Sequence, residues 1–155
     1  MLGALMFASK LVLDILPNIH LIAVFIAAIT IAFRGKALWP LYVFIFITGL
    51  VNGFSLWWFP YLYIWTILWL VIMIIPKGSN PYVYMIVCAL HGFLYGVMYA
   101  PFQALVYGFD FHGMVAWIAA GMPYDIIHGI SNFVCGFLIA PMSKLLIKLK
   151  EKYLN

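Results

Sequence analysis

Leu21-Ile22-Ala23-Val24-Phe25-Ile26-Ala27-Ala28-Ile29-Thr30-Ile31-Ala32-Phe33 contains no charged side chain, and Arg34-Gly35-Lys36 then stops the run. A helix that is apolar all round is surrounded by protein or lipid, not water. The same alternation recurs along the chain. Pro17-Asn18, Trp57 to Pro60 and Pro76-Lys77-Gly78-Ser79-Asn80-Pro81 interrupt other apolar runs, and the segment from Gly108 to Pro123 separates the last two. Helices are therefore expected over 2–16, 18–33, 37–55, 60–75, 82–107 and 123–150. The predicted fold is all-α: one domain, 1–155, forming a polytopic bundle of six transmembrane helices. A span needs about 20 residues, so the first, second and fourth helices are short and are expected to tilt or reach only partway. A further short helix around Gly113 to Ala120 suits the last connection.

Composition agrees. Hydrophobic residues make up 68% of the chain and charged residues 8%, against roughly 25% charged in soluble domains. Aromatic residues reach 19%, as expected where Trp and Tyr settle at two membrane interfaces. The start, Met1 to Ser9, has no basic leader or clear cleavage site, so Met1 is expected to be the native start. Cys88 and Cys135 lack CxxC spacing and fit small core residues better than a disulfide or metal pair.

The basic residues give orientation. With the N-terminus in the cytoplasm, Arg34, Lys36, Lys77, Lys144, Lys148, Lys150 and Lys152 all fall inside, which is seven of the eight. The positive-inside rule then puts both termini in the cytoplasm of a multi-pass plasma-membrane protein. Scattered in short loops and one tail, these charges form no stripe for nucleic acid. Lys10 stays within the first helix, four residues before Asp14, where it can pair or snorkel.

This topology sorts polar groups to the outward half. Asp14, Asn18 and His20 flank the first outward turn, and Asn52, Ser55, Trp57, Trp58, Tyr61, Tyr63 and Trp65 surround the second. Asp125, His128 and Asn132, spaced three and then four apart, share one helical face. Polar groups within a membrane turn toward the bundle interior and a partner. The row serves either as a hydrogen-bonding wall for a ligand or as a helix cap and interhelical glue. His91, Tyr95, Tyr99, Gln103 and Tyr107 form a second row in steps of four, whose outer members Tyr99, Gln103 and Tyr107 are candidate ligand contacts or ordinary packing. Trp57 and Trp58 point different ways, one toward lipid and the other available to stack on a flat ligand, unless both are a simple interfacial belt. The substrate-binding candidates are thus Asp125, His128, Asn132, Trp57, Trp58, Tyr61, Asn52, Gln103, Tyr107 and Tyr99.

Enzyme motifs are missing: there is no GxSxG elbow, HExxH or phosphate loop. Asp125 and His128 alone make a thin acid–base or metal pair. No catalytic residue, resident metal or cofactor is expected. Four acidic residues, Asp14, Asp110, Asp125 and Glu151, build no proton ladder through the core.

Several strings resemble the substrate-specific S components of energy-coupling factor transporters, along nearly the whole chain. Ala4-Leu5-Met6-Phe7-Ala8 looks like that family's Ala-x-x-x-Ala docking motif. More specific are Leu16-Pro17-Asn18-Ile19, Gly53-Phe54-Ser55-Leu56-Trp57-Trp58 and Tyr61-Leu62-Tyr63-Ile64-Trp65. The strongest is Gly121-Met122-Pro123-Tyr124-Asp125-Ile126-Ile127-His128-Gly129-Ile130-Ser131-Asn132-Phe133, followed by a basic tail. The resemblance implies capture of a vitamin or related micronutrient outside a Gram-positive cell. Delivery would be driven by a transmembrane coupling subunit, docked at Ala4 and Ala8, and two ATPase subunits. Nickel and cobalt members begin Met-His, and this chain begins Met1-Leu2. With aromatics plentiful and Lys10 the one outward cation, a neutral or weakly cationic flat ligand is expected: cobalamin slightly favoured, then a pyridine-type vitamin or a queuine-like base. The competing expectations are an assembly protein without a small ligand and a small membrane enzyme using Asp125 and His128.

Overall fold

The computed structural model describes residues 1–16 and 18–153, all helix and connection with no strand among them. Pro17, one of the expected breaks, lies outside the described residues. Eight α-helices follow in order: α1 (Leu2–Leu13), α2 (Ile22–Phe33), α3 (Leu38–Asn52), α4 (Phe59–Ile74), α5 (Pro81–Phe93), α6 (Tyr95–Tyr107), α7 (Phe111–Cys135) and α8 (Ile139–Tyr153). Four continuous helical stretches are long and apolar enough to cross a membrane: Ile22–Asn52, Leu56–Ile74, Pro81–Tyr107 and Phe111–Tyr153. The chain is a helical membrane protein.

α2 is the hub. Nearly every side chain from Ile22 to Ala32 is buried, and α1, α4, α5, α7 and α8 all pack around it. Its all-round apolar character is thus satisfied by protein, and at 12 residues it is about 18 Å long, too short to cross a bilayer alone. Arg34-Gly35-Lys36 does end it, with Arg34 at φ 53°. Arg34 Nη2 donates to Met73 O, and Trp69 Nε1 donates to Arg34 O at 3.3 Å, so α2 ends beside the end of α4. α3 runs back the other way, because Tyr42 meets Thr66 (2.9 Å) while Trp58 Nε1 reaches Ile45 O (2.9 Å). The stretch Ile22–Asn52 is therefore two helices folded back through a 3-10 turn at Arg34–Ala37.

Further contacts bring the starts of α1 and α3 together and set Lys150 beside the Arg34 end of α2. The start of α1 meets the start of α3, where a β-carbon on Gly3 would lie 2.6 Å from Pro40 O. Lys150 Nζ, near the end of α8, donates to Ala32 O at 3.4 Å and lies over the Phe33 ring.

Several boundaries differ from expectation: the first helix stops at Leu13 rather than 16, the second starts at Ile22 rather than 18, and the third ends at Asn52 rather than 55. The fifth helix breaks at Leu94 (φ −96°, ψ 5°) into α5 and α6. The predicted helix over 123–150 starts twelve residues earlier, at Phe111, and is interrupted by a 3-10 turn at Gly136–Leu138. Asp110 explains the early start: its carboxylate accepts from Gly113 N at 2.7 Å and caps α7. Pro123, expected at the first turn, stands inside α7 on an exposed face, where the proline's missing N–H removes one ladder bond without a buried clash.

Candidate functional site

α5 and α7 approach very closely. A β-carbon on Gly92 would stand 2.8 Å from both the Gly129 backbone and Asn132 Nδ2. Fully buried Asn132 donates through Nδ2 to Cys88 O there at 3.1 Å, while its Oδ1 has no partner among the described residues. Seven residues earlier on α7, Asp125 accepts from Gly96 N at 3.0 Å. Gly96 lies in the first turn of α6, so Asp125 caps a neighbouring helix across the bundle rather than its own. Between them sits His128, only 3% exposed, with Nε2 lacking any hydrogen-bond partner among the described residues.

His128 lines a partly enclosed chamber of about 250 Å³, lined also by Lys10, Asp14, Asn18, His20, Tyr61, Trp65 and Tyr95. Elements distant in sequence build it: the end of α1, the α1–α2 connection, α4, α6 and α7. The rings interlock edge to face, with His20 and His128 centroids 4.7 Å apart, His20 and Trp65 5.8 Å, and Tyr95 and His128 5.2 Å. Trp65, 2% exposed, also leaves Nε1 unpartnered among the described residues, as does His20 at Nδ1. Three residues that line this cavity thus each carry one buried ring nitrogen without a partner among the described residues, whereas buried polar groups are nearly always satisfied. Lys10 Nζ binds Asp14 at 2.9 Å on the rim, so the wall's one ion pair is internally neutral. Burial, reinforced by the Lys10 charge, lowers the His20 imidazole, in the α1–α2 connection, to about 4.

A second, more open chamber of about 420 Å³ adjoins the first through Asn18 and Tyr95. Gly96, Tyr99, Gln103, Trp117, Tyr124 and Asp125 line the rest of it. Tyr99 donates to Trp57 O at 3.2 Å and stacks on Trp117 at 5.8 Å.

The sequence-predicted residues therefore part company. His128 and Tyr61 line the first chamber; Asp125, Tyr99 and Gln103 line the open one. Asn132 lies in the α5–α7 seam. Trp58 is engaged with Ile45 O and packs on Phe54, while Trp57 packs on Tyr61 at 5.4 Å behind the chambers. Asn52, at the end of α3, and Tyr107, stacked on Phe109, are exposed. His91 donates or accepts at Ile64 O (3.0 Å), beneath Trp65. Ala4 and Ala8 are exposed on α1 with Leu11, Val12 and Ile15, one unpartnered stripe at helical spacing. Not singled out from sequence were Trp65, His20 and Tyr95 as cavity walls. The signal available was Trp65, Tyr95 and His128, each set within an apolar helix, and His20 just before one. Among the described residues, no group of three His, Cys, Asp or Glu side chains is placed to hold a metal ion.

Compared with known protein families, with curated proteins and with solved structures, the chain matches none of them.

Proposed function

We propose that the chain is a substrate-capturing membrane subunit, of the kind found as S components in energy-coupling factor importers, which takes a micronutrient from the extracellular side. The observation that carries this is the chamber lined by His20, Tyr61, Trp65, Tyr95 and His128, set at the end of the bundle opposite the basic turn and tail. With the basic end in the cytoplasm, that chamber faces outward and both termini face inward. The unpartnered nitrogens are poor for stability, and a wall of polar and aromatic residues around a concave space suits a small ligand. The exposed Ala4 and Ala8 stripe supports a partner helix docking on α1, since small residues let helices approach closely in lipid. A transmembrane coupling subunit and two ATPases would then supply the energy.

The volume refines the ligand. At about 250 Å³ the chamber falls below the roughly 300–1,000 Å³ of pockets for drug-sized molecules. A pyridine-type or queuine-like base suits it better than a corrin, which would have to lie mostly in the open chamber.

A second reading has its own observation. Asp125 and Asn132 are both spent on helix-to-helix bonds, as an assembly protein without a ligand would require. An acid–base pair has less support, because Asp125 and His128 line different chambers. The deciding experiment is purification in mild detergent from a Gram-positive host expressing coupling subunit and ATPases. Co-purification of all three with a released small molecule is the expected result. Protein that repeatedly comes down alone and empty would leave the assembly reading.

A further inference from the structure

Independently of the capture reading, we infer that α8 carries a binding site for the phosphate headgroups of anionic phospholipids, built from Lys144, Lys148 and Lys152. The three lysines follow one another at steps of four and all are exposed, so they form one row along the helix. Beside it runs a second exposed row, Leu145, Leu149 and Tyr153, one residue further on at each step. The side of α8 that packs inward carries Ile139 and Ser143, both buried, and α2 is the helix it packs on. Lys150 is turned to that side, donating to Ala32 O, and so does not belong to the row. Among the described residues no carboxylate pairs with the three lysines, and Glu151 is the one acid on the helix. A cationic row beside an apolar row, both facing outward, suits the boundary between lipid headgroups and acyl chains.

Depth separates a lipid from a soluble acidic partner. Ser131 Oγ donates to Asn18 O at 3.1 Å and Lys150 Nζ to Ala32 O at 3.4 Å, so the stretch from Ser131 to Lys150 runs alongside α2 in the same direction. α2 is apolar up to Phe33, and Arg34-Gly35-Lys36 follows, so Lys150 stands level with the edge of the membrane. Lys144 is rooted about 9 Å before Lys150 along the axis, on the bilayer side, and Lys152 about 3 Å beyond it. The row therefore crosses the headgroup layer, which is roughly 5–8 Å thick. Lysines rooted among acyl chains extend their amines to the phosphates. Leu145 and Leu149, 57% and 43% exposed, are the flanking surface that the chains cover. Lys152 Nζ lies over the Tyr153 ring at 5.0 Å at the outer end, where aromatic and cationic groups settle. A soluble acidic protein could meet Lys152 there but has no path to Lys144.

The test places the full chain in nanodiscs of mixed phosphatidylcholine and phosphatidylglycerol, and counts by native mass spectrometry the lipids it keeps on gentle release. The expected result is retention of phosphatidylglycerol over phosphatidylcholine. Each of Lys144→Gln, Lys148→Gln and Lys152→Gln should lower that preference up to about fivefold at low salt, and the triple Gln variant should abolish it. The matching triple Arg variant keeps the charge and should keep the preference. Lys77→Gln, exposed in the α4–α5 connection, removes a cation away from α8 and should change nothing. All four positions are exposed, and an unaltered unfolding midpoint checks that the fold is kept. Equal retention of the two lipids by the parent overturns the inference, as does a preference that survives in the triple Gln variant. A loss as large in Lys77→Gln as in the α8 variants overturns it too, since diffuse surface charge would then suffice. If the triple Gln variant keeps its lipid preference but no longer co-purifies with an ATPase subunit, the row belongs to an acidic protein surface and the lipid site is refuted. None of these outcomes bears on ligand capture.

Discussion

Asn132 and His128 stand one helical turn apart on the same buried face of α7, and they have opposite fates. Asn132 lies where Gly92 and Gly129 bring α5 against α7, so its amide finds Cys88 O. His128 lies just beyond the Leu94 break, where the chain of α5 gives way to α6 and the packing opens into a chamber. Glycine on both helices closes the seam; beyond the break Asp125 accepts from Gly96 N and Tyr95 lines the chamber. Residue type and depth are similar for the pair. Each leaves one buried polar atom unpartnered, Oδ1 of Asn132 and Nε2 of His128, and what separates them is that the Asn132 amide N–H has a neighbouring backbone carbonyl within reach.

The largest effect is expected from closing that difference at the seam. Gly92→Leu would drive a side chain into the Gly129 backbone, which has no rotamer to yield. Overpacking should cost about 3 kcal/mol. The check is thermal unfolding in detergent, with a large fall in folded yield and midpoint; an unchanged midpoint would mean that the seam is looser than its glycines imply. Next is His128→Ala, expected to leave folding nearly intact and to raise the ligand's dissociation constant about 5- to 150-fold, which is about 1–3 kcal/mol. Asn132→Ala should do the reverse. It should lower stability by about 0.6–1.7 kcal/mol, the range for interhelical bonds in membranes, with little change in affinity for molecules that keep their fold. Equal effects of the two substitutions on binding would erase the comparison.

The helical membrane architecture was legible in apolar runs and their punctuation, because lipid forces long, uncharged helices. α4, expected over 60–75, lies at Phe59–Ile74. α7 was misjudged at Pro123 because proline was weighed as a start, while Asp110, a better cap, stood thirteen residues upstream in a short loop. The row Asp125, His128 and Asn132 was legible as one face, but not which member met which backbone. That depends on Gly96 and Cys88, 29 and 44 residues away. The cavity was least legible of all. Lys10, His20, Trp65 and Tyr95 come from four separate segments, and no local spacing records their meeting.

Asp125→Ala tests the capping half of the comparison. Losing a cap costs about 1 kcal/mol, here paid at the first turn of α6 rather than at α7. Hydrogen exchange should speed up around Gly96 with α7 unaffected. Faster exchange confined to residues around Asp125 itself would show that the carboxylate serves its own helix.

The smallest effect on the fold is expected from Ala4→Trp and Ala8→Trp. Both positions are exposed on α1, and the side of that helix which packs inward is carried by Gly3, Met6 and Phe7. An added indole at either site meets lipid in the isolated protein, so unfolding midpoint and ligand affinity should stay within about 0.5 kcal/mol of the parent. In the complex the same indole would hold a partner helix away from a surface that small side chains keep flat. Co-purification with coupling subunit and ATPases, and uptake by cells, should fall while binding by the free subunit persists. This splits the molecule a second way, into a face that recognises a ligand and a face that recognises a helix. Full assembly and uptake in both variants would remove α1 as the docking face, and a loss of ligand binding in step with assembly would show that the two faces are mechanically one.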